Sequence, residues 1–491
     1  MKRNRQPNAR RRRVYVIAAA AALLVGGLTV PVVSTPAQAA TTTAVSLTFD
    51  DGNADQMQAK PILDKYAMKG TFYIITGSIG APNYLTRADL QTLSAGGNEI
   101  AGHTVNHPDL TTVPADEAKR QICNGRAALA SWGYQATSFA YPYAALNASV
   151  ESIAQQCGYN SARGLGDLRS AHGCNGCPYA ETVPPADPYA LKALDEHDNT
   201  WTLAQMQSAV TNAERTGGWV PFTFHHVCAG TGCDALSITP TMLDQFLSWL
   251  AARTSRGTTV KTVNQVVGGT VKPIVTAPAS TNTGLVNTSL ETSTSGTGFP
   301  DCYMPGGYGN NTATWARTTA AHTGTAAEQL TVTNYQDGDA KLLPTFDLGA
   351  CTPTGTAGQT YTVSVWYKST AITQFALYYR TTDGFWTYWT SGPWLAAAPN
   401  WTQGTFTTPP LPAGGVGFSF GLSLIANGTL TTDDYGLASG SGTPAVRAAA
   451  TAAGSPSPLR GAIVSHQWGK NAKPLVPSVR GVVIPAAAPG D

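Results

Sequence analysis

Charged side chains are scarce in this sequence: Lys, Arg, Asp and Glu make up 12% of its 491 residues, about half the share of an average soluble protein. Seven of the 31 basic residues lie within the first 40 positions, where there is no acid. The other 24 therefore face 29 acidic residues, a net charge of −5. This balance argues against nucleic acid as a partner, because phosphate binding relies on surplus Lys and Arg. A hydrophobic content of 42% argues against wholesale disorder.

Long apolar runs are absent except near the N-terminus. Four arginines at positions 10–13 precede an apolar run from 14 to 33, and Ala37-Gln38-Ala39 follows it. A basic start, an apolar middle and a small-x-small end predict a signal peptide over residues 1–39, cut after Ala39. An uncleaved anchor is the alternative, because the run approaches the roughly 20 residues that span a bilayer. We therefore expect a secreted, extracellular protein with no stable membrane insertion after cleavage.

Cysteines are few but even in number, with six in the first half of the chain and two in the second. In an exported protein this pattern predicts disulfide bonds. Cys302–Cys351 is the simple pairing in the second half, whereas six cysteines allow 15 connectivities. A zinc knuckle at Cys174-x-x-Cys177 would need a second pair with ligand spacing, and none is present, so a disulfide is favoured.

Short β-type runs alternate with amphipathic helical stretches from about residue 45 to 267. This alternation predicts an α/β domain with a parallel sheet over residues 40–267, and a barrel is one way of closing it. Thr239 and Pro240 give a clear helix start. The predicted strands are 45–49, 71–75, 99–103, 138–143, 189–194, 219–225 and 259–263, and the predicted helices are 54–66, 87–93, 115–132, 149–157, 203–215 and 241–252.

The second half has a different pattern. Residues 268–282 are rich in Gly, Pro, Thr and Ser and are interpreted as a linker. Residues 283–440 show alternating apolar positions, as in 361–367, with recurrent turns, which predicts an all-β sandwich. Residues 441–491 are predicted to be a flexible Ala/Pro-rich tail, whose basic residues could attract it to an anionic cell wall.

Two short motifs bear the chemistry of a metal site. Asp50 and Asp51 follow the first predicted strand, at the edge where a β/α barrel has its active site, although Asp-Gly is also a common turn pair. His103 and His107 follow the third strand, and on a helical turn this spacing would let both imidazoles face one metal. Surface histidines are the alternative. One Asp, two His and a position left for water form a plausible catalytic zinc site.

Two later segments could complete that site. Residues 138–143 end the next strand, and His225 lies at the end of the strand predicted at 219–225, where a histidine can act as a general acid. Its neighbour His226 should point to the opposite face, because side chains alternate along a strand. Which of the two is the acid stays open.

These motifs, in this order, resemble the NodB-homology polysaccharide deacetylases (carbohydrate esterase family 4), over residues 45–267. The resemblance implies a distorted (β/α) barrel and a divalent metal, most commonly Zn²⁺, with Co²⁺ or Ni²⁺ as alternatives. It implies the following roles: Asp50 as general base; Asp51, His103 and His107 as metal ligands; the Pro142-Tyr143 backbone as oxyanion and substrate contact; His225 as general acid.

The chain departs from this family pattern in three places. Ala140 stands where the third motif often has an arginine, for which Arg163 is a candidate replacement. The fourth motif is blurred into Asp198 and Trp201, and the last reads Thr-Phe-His-His rather than Leu-x-His-Asp.

The second half resembles a carbohydrate-binding jelly roll, on 287–291 and 432–437. Aromatic residues crowd positions 385–394 and could stack on sugars. The whole sequence predicts a secreted deacetylase of a GlcNAc-containing glycan, namely chitin, peptidoglycan or poly-GlcNAc. The alternatives are an acetylxylan esterase and a non-catalytic carbohydrate-binding protein.

Overall fold

The computed structural model describes residues 42–439, so the predicted signal peptide (1–39) and the predicted tail (441–491) lie outside the described residues. The first half of the described chain is an α/β unit. Its strands are β1 (Thr43–Phe49), β2 (Thr71–Ile74), β3 (Glu99–Gly102), β4 (Ser138–Ala140), β5 (Ser161–Arg163), β6 (Gly218–Phe224), β7 (His226–Val227), β8 (Ser237–Ile238) and β9 (Thr258–Val260). Its α-helices are α1 (Ala59–Lys65), α2 (Arg87–Ala95), α3 (Ala115–Ser131), α4 (Ala148–Gln156), α5 (Leu203–Glu214), α6 (Pro240–Ala251) and α7 (Val263–Val267).

The main sheet is parallel throughout and has the order β5-β4-β3-β2-β1-β6. Strand β1 lies near its centre and pairs along its whole length with β6. On the other side of β1, its first residues pair with β9 and its last residues pair with β2. Val45, Leu47 and Phe49 are completely buried, as expected for a strand covered on both faces.

An irregular segment spans the gap between β5 and β6. Leu191 forms a parallel bridge with Arg163, and Glu196 forms one with Thr223. The regular strand predicted at 189–194 is therefore wrong, although this segment does lie between two strands and completes a distorted barrel. Strand β5 was not predicted, because three residues are too few to show a period.

Helix α6 confirms the start signal in the sequence. The Thr239 hydroxyl accepts a hydrogen bond from the Met242 N–H at 3.1 Å, and Pro240 occupies the first helical turn. The buried side chains recur at helical spacing and pack into the barrel core: Leu243, Phe246, Leu247 and Leu250.

The second half consists of two five-stranded antiparallel sheets, with orders β10-β13-β18-β15-β16 and β11-β12-β19-β14-β17. Their inner faces share one apolar core, and β14 alternates buried and half-buried positions as predicted. The jelly-roll form stays a prediction. The strands are β10 (Tyr303–Tyr308), β11 (Thr312–Thr318), β12 (Ala327–Thr333), β13 (Asp339–Pro344), β14 (Tyr361–Ser369), β15 (Thr373–Thr381), β16 (Trp386–Leu395), β17 (Ala398–Thr407), β18 (Gly415–Leu424) and β19 (Gly428–Ser439).

All eight cysteines form disulfides: Cys123–Cys157, Cys174–Cys177, Cys228–Cys233 and Cys302–Cys351. Both the disulfide at Cys174–Cys177 and the pairing of Cys302 with Cys351 agree with expectation. Residues 268–282 contain neither helix nor strand, but they contact the barrel, because the Arg126 guanidinium donates to the carbonyls of Lys272 and Pro273. Within residues 42–439, no helix is both long and apolar enough to cross a bilayer.

Candidate metal centre

The candidate residues meet at the carboxyl ends of four strands of the parallel sheet. Asp50 and Asp51 follow β1, His103 follows β3, Pro142 follows β4, and His225 follows β6. Because parallel strands end at the same edge of a sheet, residues far apart in sequence come together here. Beneath this edge, Phe49 and its neighbours Phe72 and Phe224 on the adjacent strands are buried.

Three side chains form a compact set of potential metal ligands. Asp51 Oδ1 lies 3.3 Å from His103 Nε2 and 3.4 Å from His107 Nε2, and the two imidazole nitrogens are 3.1 Å apart. Asp51 Oδ1 is buried and makes no hydrogen bond within the described chain. One carboxylate oxygen and two imidazole nitrogens aimed at a common point are the donor set of a catalytic zinc site. The residues present therefore fit a divalent metal.

The surroundings keep these three groups in the forms that bind metal. His103 Nδ1 lies 2.8 Å from the Ala140 carbonyl oxygen; since a carbonyl only accepts, Nδ1 carries the proton and Nε2 presents its lone pair. Burial lowers the pKa of His107 to about 3, so its ring is neutral. Burial by itself would raise the pKa of Asp51, but the surrounding histidines hold it well below its usual range.

The expected helical turn at His103–His107 is wrong. This segment, called the metal loop below, is irregular, with positive φ at Thr104 (68°) and His107 (60°). The Val105 and Asn106 N–H groups donate to Gln121 Oε1 on α3, at 3.2 and 2.8 Å. The loop therefore derives its shape from tertiary contacts and not from helical hydrogen bonds.

Asp50 is not a member of the triad, because it pairs with a buried arginine. Arg163 Nη2 donates to both oxygens of the Asp50 carboxylate, at 2.6 and 2.5 Å. Arg163 lies on β5 directly beside Ala140 of β4 in the strand register. Arg163, one strand beyond Ala140 in the sheet, thus reaches the Asp50 carboxylate next to the triad. The Tyr73 ring covers the guanidinium, with 5.0 Å from Cζ to the ring centroid.

The two adjacent histidines have different surroundings. His226 Nδ1 lies 2.9 Å from Asp55 Oδ2; although burial opposes its charged form, this carboxylate raises the pKa of His226. His225 interacts electrostatically with Asp51 and His107, and its buried Nδ1 has no hydrogen bond within residues 42–439. His226 is thus held by Asp55, whereas His225 interacts with two members of the triad.

A glutamine that the sequence did not single out joins the two sides of the site. The Gln56 amide donates to the Asp50 carbonyl at 2.5 Å and to the His225 carbonyl at 2.8 Å. Asn53 donates to the same His225 carbonyl at 3.1 Å. These bonds fix the end of β6 against the end of β1. No motif could have revealed Gln56, because it lies on an ordinary amphipathic stretch.

Of the other residues proposed from the sequence, Tyr143 lies beside the triad, whereas Asp198 and Trp201 have other partners. Tyr143 has a left-handed backbone (φ 57°) directly after Pro142, and its ring meets the His107 ring edge-on, with centroids 4.6 Å apart. Asp198 accepts hydrogen bonds from Thr200 and closes a turn. Trp201 is buried and stacks on His172 at 4.5 Å. Neither member of the blurred fourth motif belongs to the triad.

Glu196, which was not predicted, lies near the site instead. Burial raises the pKa of Glu196, and the charge of His225 opposes that shift. Its bridge to Thr223 of β6 holds it beside the strand that leads to His225. No sequence pattern indicates Glu196, because the segment that carries it is irregular.

Residues 37–162 match the family model described as polysaccharide deacetylase. The chain is similar to the chitooligosaccharide deacetylase of Rhizobium leguminosarum bv. trifolii, with 31% identity over 23% of this chain and 53% of that protein. It is also similar to the peptidoglycan-N-acetylglucosamine deacetylase of Bacillus cereus, with 27% identity over 24% of this chain and 54% of the relative. The chain thus spans about half the length of these two curated relatives.

A solved structure also aligns with the first half of the chain. It is a family 4 acetyl xylan esterase from Clostridium thermocellum in complex with a cobalt ion. The identity is 21%, the alignment covers 46% of this chain and 90% of that chain, and the TM-score is 0.33.

Proposed function

From the match of residues 37–162 to the polysaccharide deacetylase family model, we propose that the protein is a secreted, metal-dependent hydrolase that removes N-acetyl groups from a GlcNAc-containing glycan. The observation that carries the proposal is the Asp51–His103–His107 triad with the Asp50–Arg163 pair beside it. The names of the two curated relatives, which act on chitooligosaccharide and peptidoglycan, support an N-acetylated substrate.

The proposed site separates metal binding from proton transfer. Asp51, His103 and His107 would hold a divalent metal, with zinc favoured by the donor set and cobalt or nickel as alternatives. When bound, such an ion supplies Lewis-acid activation of water and of the acetyl carbonyl. Asp50 belongs to the same turn but pairs with Arg163 and not with the metal ligands. Its carboxylate can therefore accept a proton from the attacking water.

The protein residues would act in sequence on the amide. Asp50 takes a proton from the attacking water as the new carbon–oxygen bond forms. The Tyr143 backbone N–H, on the turn after Pro142, stabilises the developing oxyanion. His225 donates a proton to the nitrogen as the carbon–nitrogen bond breaks, so that acetate and a free amine leave. Gln56 fixes the distance between acid and base by binding both of their backbone carbonyls.

Export is part of the proposal. All eight cysteines form disulfides, and such bonds persist in oxidising compartments. The second half is proposed to bind sugar through a smaller platform than the sequence indicated. Of the aromatic residues at 385–394, Trp386 is buried, whereas Tyr388 and Trp394 are about half exposed (49% and 50%).

The test is acetate release from chitin oligomers, peptidoglycan, poly-GlcNAc and acetylxylan, with and without a chelator. We expect release from an N-acetylated substrate, loss with the chelator and recovery with added Zn²⁺, Co²⁺ or Ni²⁺. Asp50→Asn should lower kcat by about 10³-fold while bound metal stays near one equivalent. Asp51→Asn should lose both metal and activity. Asp89→Asn, which only weakens the capping box of α2, is the matched control and should retain both.

Each other outcome selects a different function. Acetate from acetylxylan alone would identify an O-deacetylase with the same residues and a different leaving group. No acetate from any substrate, in protein with its metal bound, would favour a carbohydrate-binding protein. Unchanged activity in Asp50→Asn would reject Asp50 as the base.

A further inference from the structure

The β-sandwich touches the metal loop directly. The turn between β15 and β16, residues Thr381–Phe385, is called the sandwich turn below. The Asn106 side-chain amide donates to the Gly384 carbonyl oxygen at 3.1 Å, and Asn106 lies between the two histidine ligands of the metal loop. The neighbouring Phe385 packs on the barrel residues Ile75, Ala81 and Tyr84.

Gly384 fits against the metal loop without spare room. Its φ is +87°, a conformation that favours glycine. A Cβ at Gly384 would lie 2.3 Å from Val105 Cγ1, far inside van der Waals contact. Any side chain here must therefore displace the Val105 side chain, which lies between His103 and His107 in the metal loop.

A second connection reaches the same loop from the other side. The Leu348 N–H of the sandwich donates to Glu117 Oε1 on α3, at 2.8 Å. The same Glu117 oxygen accepts from the Gln121 amide at 2.9 Å, and Gln121 Oε1 accepts the Val105 and Asn106 N–H groups. A chain of hydrogen bonds thus leads from the sandwich backbone to the metal-loop backbone.

The interface between the halves is too deeply buried for a loosely tethered module. Two acids and two arginines are buried around it: Glu117, Asp347, Arg120 and Arg380. Separating the halves would break the Leu348–Glu117 bond and change the surroundings of these charges, which is costly for buried charged groups. Inter-domain contacts that only tether a module are expected to be smaller and more mobile.

We propose that the β-sandwich is a positioning element of the metal centre, in which the sandwich turn and Leu348 together hold the metal loop in its ligand-binding shape. This proposal rests on the metal site of the proposed function but not on the choice of substrate. Groups that orient ligands from behind typically change metal affinity by about 10–100-fold when they are lost. The barrel alone would thus be a weaker metal binder than the full chain.

The test compares two glycine substitutions in the full-length protein. Gly384→Ala adds a Cβ against Val105. Gly358→Ala adds the same strain in another sandwich turn (φ +83°), where a Cβ meets nothing within 4 Å. Co²⁺ titration of the apoprotein, followed by visible absorption and calorimetry, should show at least about 10-fold weaker binding in Gly384→Ala. Gly358→Ala should bind Co²⁺ within about twofold of the wild type, because its added methyl group touches nothing.

A rescue separates positioning from general damage. Val105→Ala removes the methyl groups that meet the new Cβ, so Val105→Ala/Gly384→Ala should recover most of the Co²⁺ affinity and the wild-type absorption spectrum. A milder variant, Asn106→Ala, removes the hydrogen bond to Gly384 and the one that Asn106 Oδ1 accepts from the Gln121 amide at 3.3 Å, and should weaken binding about threefold. Circular dichroism and thermal unfolding of every variant establish that it is folded.

Equal Co²⁺ affinities in Gly384→Ala and Gly358→Ala would overturn the proposal, as would a loss that Val105→Ala fails to rescue. The proposed function is judged separately: a wild-type protein that binds Co²⁺ through Asp51 but releases no acetate would reject deacetylation and leave the affinity comparison decisive. A wild-type protein that binds none of Zn²⁺, Co²⁺ and Ni²⁺ would reject both.

Discussion

Asp50 and Glu99, two buried carboxylates of the barrel half, have specific partners, whereas the buried Glu328 of the sandwich half has no hydrogen bond within residues 42–439. Asp50 is bound by Arg163, and Glu99 accepts hydrogen bonds from Thr71, Ser138 and the Asn264 N–H. Glu328 on β12 is equally buried, but neither of its carboxylate oxygens has a hydrogen bond within residues 42–439.

The difference follows from strand geometry. In the barrel, parallel strands begin and end together, so side chains from other strands surround Glu99 at one edge of the sheet and Asp50 at the other. Glu328 instead occupies the inward face of β12, in line with the core residues Leu330 and Val332. Its cross-strand neighbour Arg317 turns to the backbone carbonyls of Leu290 and Glu291. Burial accordingly raises the pKa of Glu328 to about 7. Asp50 and Glu99 thus have hydrogen-bonding partners built around them, whereas the surroundings of Glu328 favour its neutral form.

The largest expected effect comes from removing the partner of Asp50. Arg163→Ala leaves a buried carboxylate without its counter-charge, so we expect kcat to fall by about 100-fold and stability by about 3–5 kcal/mol. Metal content should stay at wild-type level, because Arg163 contacts none of the triad. Steady-state kinetics, metal analysis and denaturant unfolding measure the three quantities.

A second substitution shows whether the arginine acts by position. Ala140 is the register partner of Arg163 and packs against the same Tyr73. Ala140→Arg/Arg163→Ala should therefore regain part of the lost kcat, since a guanidinium from β4 can approach Asp50. If Arg163→Ala retained full kcat, the buried pair would be purely structural and the comparison with Glu328 would lose its functional meaning.

The sequence sufficed for the parts of the site that are tied to strand ends. Asp51, His103 and His107 could be found because each follows a recognisable strand and carries a residue type that binds metal. The pairing of Asp50 with Arg163 was only a candidate, since the two residues are 113 positions apart and nothing local relates them. Gln56 and Gly384 gave no signal, because their roles exist only in the assembled structure.

Errors arose where tertiary contacts outweigh local patterns. The H-x-x-x-H spacing suggested a helical turn, yet Gln121 on α3 holds that segment as a loop. The run at 189–194 has strand-like composition, but it forms only isolated bridges. Residues 268–282 have the composition of a free linker, although Lys272 Nζ donates to the Tyr159 carbonyl of the barrel at 2.8 Å.

Glu328→Gln should change the free energy of unfolding by an intermediate amount. The change should have the opposite sign to that of the matched replacement Glu99→Gln in the barrel. The folded state favours protonated Glu328 (pKa about 7, against 4.5 for the unfolded group). The wild-type stability from this group is therefore complete below about pH 4.5 and is lost as the pH rises through 7. At pH 8 in chelator-containing buffer, Glu328→Gln should stabilise the protein by about 2 kcal/mol, with little effect at pH 4.5.

Glu99→Gln is the control for that measurement. It replaces an acceptor of several hydrogen bonds and should destabilise the barrel by about 1–3 kcal/mol. Denaturant unfolding at the two pH values measures both variants. If Glu328→Gln were destabilising at pH 8, the ionised carboxylate would have a partner in solution and the two halves would not differ in this respect.

The smallest effects are expected on the sandwich surface, at Tyr388 and Trp394. If these exposed rings stack on sugar, replacing each with Ala should weaken binding to insoluble glycan about threefold, the range of a single aromatic contact. The kcat on short soluble oligomers should not change, because neither residue belongs to the sandwich turn. Ile372→Ala removes an equally exposed apolar side chain of the same half and should leave glycan binding unaltered. Equal losses in all three variants would indicate general surface hydrophobicity and not aromatic stacking. The sandwich would then act on the barrel only through its contact with the metal loop.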